Sequence, residues 1–147
     1  MEPGIDYLKN SRGAFETMFG LEKYLAQSGL DHKLMTLIKL RASQINDAPT
    51  ALTCIGRIAG RGRSEQRLYG LDAWRESPYY SERERAALGS AEAVTNIQQD
   101  HAPNEVFEQT HQHFSEKELA DLTLTIATIN AWNRLVISVR AGCPREV

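Results

Sequence analysis

Cysteine is scarce in this chain: 147 residues contain two, Cys54 and Cys143, far apart in sequence. That count excludes a disulfide-rich scaffold and any local Cys-x-x-Cys pair, and no structural disulfide is expected. A dominant charge is also lacking. Lys and Arg number 17 against 19 Asp and Glu, a net charge of −2, so neither nucleic acid nor an anionic membrane is an expected partner. No apolar run approaches the roughly 18 residues that span a bilayer. The first 13 residues, MEPGIDYLKNSRG, have no basic region followed by an apolar stretch. No signal peptide is therefore expected, and cytoplasm is the expected compartment. Strand-like alternation of apolar and polar residues is absent too, which argues against a sheet.

The remaining pattern is helical. Hydrophobic content of 41% and charged content of 24% suit one globular domain spanning residues 1–147, long enough to bury a core. A first helix is predicted over 12–28, with Phe15, Met18, Leu21 and Leu25 on one face and Gly29 as its stop. Asp31 reads as the N-cap of a second, whose stripe is Leu34, Ile38, Ala42 and Ile45. Ser64 can cap a short helix through Trp74, ended by Ser77-Pro78. Ser81-Glu82-Arg83-Glu84 reads as a capping box before a helix with Ala87, Ala91, Val94 and Ile97 inward. Pro103 suits the first position of a helix to Phe114. A second capping box, Ser115 to Glu118, opens the longest helix, with Leu119, Leu122, Ile126, Ile129 and Val136 at helical spacing. The tail from Ala141 is expected to be loose.

Three segments carry a specific resemblance: RASQIN (Arg41–Asn46), SEQRLYGLDAWRE (Ser64–Glu76) and INAWNR (Ile129–Arg134). Together they resemble the alkylhydroperoxidase D-like branch of the carboxymuconolactone decarboxylase family, over about residues 5 to 140. The resemblance implies an all-α, alkylhydroperoxidase D-like (AhpD-like) helical domain that assembles as a homo-oligomer. It also implies thiol-dependent reduction of organic hydroperoxides in antioxidant defence, with no cofactor beyond a thiol reductant. Between the first two segments that family usually carries Gly-Cys-Ala-Phe/Tyr-Cys, then an Asp-Met-His-type ending. Here the chain reads DAPTALTCIGRIAGRGR (Asp47–Arg63).

The difference matters chemically. Only a thiolate attacks a peroxide, and a cysteine at a helix start has its pKa lowered by the exposed N–H groups and the helix dipole. Attack leaves a sulfenic acid, which a second cysteine resolves to a disulfide. A histidine and a glutamate relay the protons. Aligned on Asn46, the two cysteine positions fall on Ala48 and Ala51, the histidine on Ile55 and the glutamate on Thr36. None of the four can do the work. Cys54 lies one turn beyond Ala51 and, with no resolving cysteine nearby, reads as an inert buried thiol. Gly56, Gly60 and Gly62 would each cost a helix roughly 1 kcal/mol, so a shorter or frayed helix is expected here, with Pro49 in its first turn.

Codon degeneracy suggests how the loss arose. Asp47 to Arg61 can be back-translated so that one added G in front yields Gly-Cys-Ala-Tyr-Cys-Thr-Asp-Met-His-Trp-Glu-Asp-Cys-Arg-Ala. That reading holds both cysteines and the histidine at the family spacing. The expectation is a compensated frame-shift, in the gene or in its sequencing, closed by two further lost bases near Arg63.

Other constellations are weaker. GRIAGRGR (Gly56–Arg63) matches neither phosphate-loop spacing, and no strand precedes it. Its Arg57, Arg61 and Arg63, with Arg67, read as a solvated face. His111 and His113, two apart on a helix, point to different sides, so a metal site with His101 and Glu105 is not expected. Asn130, Asn133 and Arg134 interrupt an apolar helix and need partners, expected among loop carbonyls or a neighbouring subunit. Trp74, Tyr79 and Tyr80 are expected to anchor the core or an interface. The sequence thus leaves two functions open: a hydroperoxide reductase line inactive as written, and a non-catalytic helical oligomer that binds a partner or small molecule.

Overall fold

A computed structural model describes residues 4–59 and 65–142. Among these, nine α-helices and one short 3-10 turn occur, and no strand. They run α1 (Tyr7–Asn10), α2 (Arg12–Ala26), α3 (His32–Ile45), α4 (Pro49–Ala59) and α5 (Glu65–Tyr69). The 3-10 turn Leu71–Ala73 follows, then α6 (Glu82–Thr95), α7 (Ile97–Asp100), α8 (Asn104–His111) and α9 (Glu116–Val139). The all-helical expectation holds.

Helix α3 organises the packing, meeting α4, α6 and α9. Asp31 caps it, its carboxylate accepting from the Leu34 N–H at 3.1 Å. Leu34, Ile38 and Ala42 are buried as the stripe predicts, while Ile45 is half-buried. A second buried face was not anticipated. Leu37 and Leu40 point to the other side, where Leu71, Trp74, Tyr80 and Leu88 form a separate apolar cluster. Leu34, Met35 and Ile38 join the larger one with Leu25, Ala87, Ala91, Phe114, Leu122 and Ile126. Burying each large aliphatic side chain contributes about 1.5–3 kcal/mol, so this doubly buried helix concentrates much of the stability.

Helix ends follow side-chain chemistry closely. Ser115 and Glu118 form the full capping box, with Glu118 N–H donating to Ser115 Oγ at 3.2 Å and Ser115 N–H to Glu118 Oε2 at 2.9 Å. At α6 only half a box forms. Ser81 accepts from the Glu84 N–H, but the Glu84 carboxylate is drawn to Arg67 instead of turning back. Helix α6 also stops at Thr95, leaving Ile97 on its own short helix and half exposed. Pro103 takes the N-cap of α8 and the helix closes at His111, three residues earlier than expected. The segment through Trp74 breaks at Gly70 into α5 and the 3-10 turn; its expected cap, Ser64, lies outside the described residues. Gly4 lets the chain start lie against the end of α9, where its N–H donates to Arg140 O at 3.3 Å and a Cβ would collide with Val139 O.

A charged knot ties α3 to α6 and the 3-10 turn. Glu92 Oε1 accepts from Arg41 Nε at 2.9 Å and from Trp74 Nε1 at 2.8 Å, while Arg75 Nη2 lies 2.6 Å from Oε2. Burial raises the Glu92 pKa, but the hydrogen bonds from Trp74, Arg75 and Arg41 together outweigh it, leaving the carboxyl below its ordinary value. A carboxylate depressed on folding adds stability above its unfolded pKa and loses it as pH falls through the folded one. Glu92→Gln removes the carboxylate opposite the half-buried Arg41, leaving it neutral acceptors such as Gln44 Oε1, and is expected to cost about 3 kcal/mol at neutral pH. Chemical denaturation at pH 7 and again below pH 4 checks this: the deficit shrinks in acid, and an equal deficit at both would refute the assignment.

Candidate functional site: the α3–α4 corner

Two helices meet here with one residue of left-handed backbone between them. The Asn46 N–H still donates to Ala42 O, then Asp47 turns left-handed at φ 49° and the Ala48 N–H donates back to Ser43 O at 3.0 Å. Pro49 is the first residue of α4, as its missing N–H favours, and Leu52 N–H makes the first intrahelical bond to Ala48 O. The chain therefore reaches the start of a helix whose first-turn N–H groups lack intrahelical acceptors, which is a favourable place for negative charge.

The side chains at the aligned positions carry no charge to place, and Asp47, just ahead of the helix, is exposed. Ala48 is 1% and Ala51 9% exposed, and with Ile55 they recur at i, i+3 and i+7 along one face of α4. Ile55 packs on the cluster of Leu37, Leu40 and Leu71. On α3, the Thr36 hydroxyl donates to His32 O at 2.8 Å, within its own helix. So Ala48, Ala51 and Ile55 share one face, and no nucleophile, acid or base is among them. Cys54 is half-buried and disulfide-bonded, which corrects both the expected inert thiol and the expected absence of a disulfide. Separation in sequence misled the expectation: closing a long loop costs only slightly more than a short one. The other cysteine, Cys143, lies outside the described residues.

Beneath the corner lies a polar layer between α3, α6 and α9. Ser43 Oγ donates to Asn133 Oδ1 at 3.1 Å, and Asn46 Nδ2 donates to Asn130 Oδ1 at 2.9 Å. Asn130 Nδ2 in turn donates to Thr95 Oγ1 and Ile126 O, and Arg134 Nη1 donates to Asn130 Oδ1 at 3.0 Å. The partners of Asn130 and Asn133 are thus side chains on α3 and its C-cap, on α6 and on α9 itself, with the helix's own backbone, where loop carbonyls or another subunit were expected. Asn133 is fully buried, and among the described residues its Nδ2 has no partner. Ser43 and Thr95 were missed in the sequence, although each is a small hydroxyl at an inward helical position.

The other sequence candidates lie elsewhere. His101 ends α7 with left-handed backbone, His111 stacks on Phe107, and the His113 carbonyl accepts from Arg83. Among the described residues no group of His, Cys, Asp and Glu could hold a metal. Arg67 pairs with Glu84 and lies over the Tyr80 ring, while Arg57, Arg61 and Arg63 fall outside the described side chains. Trp74 and Tyr80 are buried anchors as expected; Tyr79 is half exposed.

With that geometry in hand, similarity becomes informative. The family model for the carboxymuconolactone decarboxylase family matches residues 12–93, which contain the whole corner. The chain belongs to that family, on its alkylhydroperoxidase D-like branch. An uncharacterised Bacillus subtilis protein, YdfG, is 34% identical over 140 residues, 95% of each chain. A solved structure from Agrobacterium tumefaciens, a protein of unknown function offered as an AhpD antioxidant-defence candidate, is 41% identical with a TM-score of 0.92, covering 99% of this chain and 100% of its own. The debrominase Bmp8 shares the fold at 22% identity and a TM-score of 0.77, covering 87% of this chain and 69% of its own.

Family membership sharpens one local point. The left-handed backbone at Asp47 is a conformation that glycine adopts without cost and aspartate tolerates less well. Asp47→Gly is expected to stabilise the protein by up to about 1 kcal/mol, read as a rise of a few degrees in Tm. A lowered Tm would show that the Asp47 side chain contributes more than its backbone costs.

Proposed function

We propose that this protein derives from the thiol-dependent hydroperoxide reductases of antioxidant defence, and that the polypeptide with this sequence turns over no peroxide. The observation that carries the reading is the pair of buried methyl groups, Ala48 and Ala51, at the start of α4. Peroxide reduction needs a thiolate there to take the distal oxygen and release an alcohol, and a second thiol to convert the sulfenic acid to a disulfide and water. Likeness to the Agrobacterium antioxidant candidate supports the lineage. The same reading has the protein cytoplasmic and homo-oligomeric, and a thiol reductant becomes a partner only if the cysteine pair is restored.

The frame-shift reading bears on the same segment. It returns Gly to position 47, Cys to 48 and 51 and His to 55, and the left-handed backbone at Asp47 favours the glycine. Resequencing the locus is expected to find the displaced base, whereas an undisturbed in-frame DAPTALTC leaves divergence as the account. A second reading, a non-catalytic helical oligomer that binds a partner or small molecule, is favoured by the intact polar layer around a corner whose aligned positions, Thr36, Ala48, Ala51 and Ile55, hold no thiol, carboxylate or imidazole.

A peroxide-consumption assay with a dithiol reductant tests the main reading. Purified protein is expected to match the protein-free control, and activity abolished by Cys54→Ser would overturn it. The double substitution Ala48→Cys with Ala51→Cys is expected to recover little activity, because Ile55 and Thr36 move no protons.

A further inference from the structure

Asn133 carries an unmet hydrogen bond deep inside the protein. It is 0% exposed, its Oδ1 accepts from Ser43 Oγ at 3.1 Å, and among the described residues its Nδ2 has no partner. Buried donors are nearly always paired, because one without an acceptor loses its hydration with no replacement. Neighbouring bonds show what faces it. Arg83 and Glu118 join the starts of α6 and α9, and Thr95 and Asn130 join further along, so the two helices run in the same direction. Helix α6 ends at Thr95, and Asn133 lies about one turn beyond Asn130. Toward α2 stands Trp132, whose ring meets Phe15 and Phe19. Ser43 fills the α3 side, which leaves the start of α4, a helix that also packs on α9. Ser43 itself joins the two, since its carbonyl accepts from the Ala48 N–H at 3.0 Å.

The same spot holds further donors. Pro49 opens α4 and Leu52 makes the first intrahelical bond, so the N–H groups of Thr50 and Ala51 have no acceptor within the helix. Ala48, directly before them and 1% exposed, ends in a methyl group. Donors from two elements therefore converge on residue 48, and its side chain accepts from none. We propose that Asn133 is a positioning residue for an acceptor atom at residue 48, a thiolate sulfur above all, which its Nδ2–H holds together with the first-turn N–H groups. The proposal rests on the reading above that a cysteine belongs at residue 48, and adds the group on α9 that orients it. A hydrogen bond to the charged form favours that form, so the carboxamide makes such a thiol more acidic without exchanging a proton itself. Ala48 leaves the bond unmade in the present chain.

A double-substitution cycle tests the role. In a full chain carrying Cys54→Ser and Cys143→Ser, the thiol of Ala48→Cys is titrated by its thiolate absorbance, with Asn133 and with Asn133→Leu, and circular dichroism verifies folding. With Asn133 the thiol is expected to be more acidic than free cysteine, and Asn133→Leu to cut the thiolate fraction at pH 7 by roughly threefold or more. A lowered pKa that is equal in both backgrounds would overturn the role of Asn133 while leaving the helix start and the earlier reading standing. An ordinary cysteine pKa in both would sink both. Should Asn133→Leu fail to fold, Asn133→Asp serves, since it keeps an acceptor for Ser43 and sets a carboxylate oxygen where the donor stood. The thiolate fraction is then expected to fall further, and an unchanged titration contradicts the proposal.

Discussion

Helix α3 is buried on two sides at once, and that constraint sets where the other large helices lie. Leu34 and Ile38 face one apolar cluster while Leu37 and Leu40 face the other, so α6, α9 and the 3-10 turn must close around it. The polar ties reinforce the same helix: Arg41 reaches Glu92, Ser43 reaches Asn133, and Asn46 reaches Asn130. Because each tie has a fixed length and direction, the end of α3 arrives at one position and one angle. The start of α4 is therefore placed by these ties together with the packing of its own Leu52 and Ile55 on the second cluster.

Ile55 apart, the corner is held by groups other than those at the aligned site positions. Burial and hydrogen bonds at Ser43, Asn46, Asn130 and Asn133 hold the corner, and none of them depends on a thiol. Alanine is small and apolar enough to occupy a buried helix face, so Ala48 and Ala51 pack without penalty. The backbone keeps the electrostatic features that would favour a thiolate, namely a helix start and its first-turn N–H groups. What is missing is sulfur to ionise at that point. Fold and reactivity are separable here because different atoms carry them.

Much of the fold was legible because periodicity and caps are local. Asp31, Ser115 with Glu118, and Pro49 mark helix starts in sequence and do so in the structure. The second buried face of α3 was not legible, since Leu37 and Leu40 lie off the predicted stripe and what they face, Leu71 and Trp74, is distant in sequence. Glu84 illustrates a competition that sequence cannot settle: the local cap and the distant Arg67 both want its carboxylate, and Arg67 wins. Likewise the partners of Asn130 lie 84 and 35 residues away, on Asn46 and Thr95. That Ala48, Ala51 and Ile55 share one helix face follows from their spacing, whereas the disulfide at Cys54 was not legible, because proximity in space leaves no mark in the spacing.

Trapping of sulfenic acid tests the central claim most directly. Reduced, mass-verified protein is exposed to an organic hydroperoxide with dimedone present, and adducts are mapped by peptide mass spectrometry. The account predicts no adduct forming faster than on free cysteine, since no cysteine occupies the start of α4. Rapid, stoichiometric adduct formation at Cys54 would contradict it.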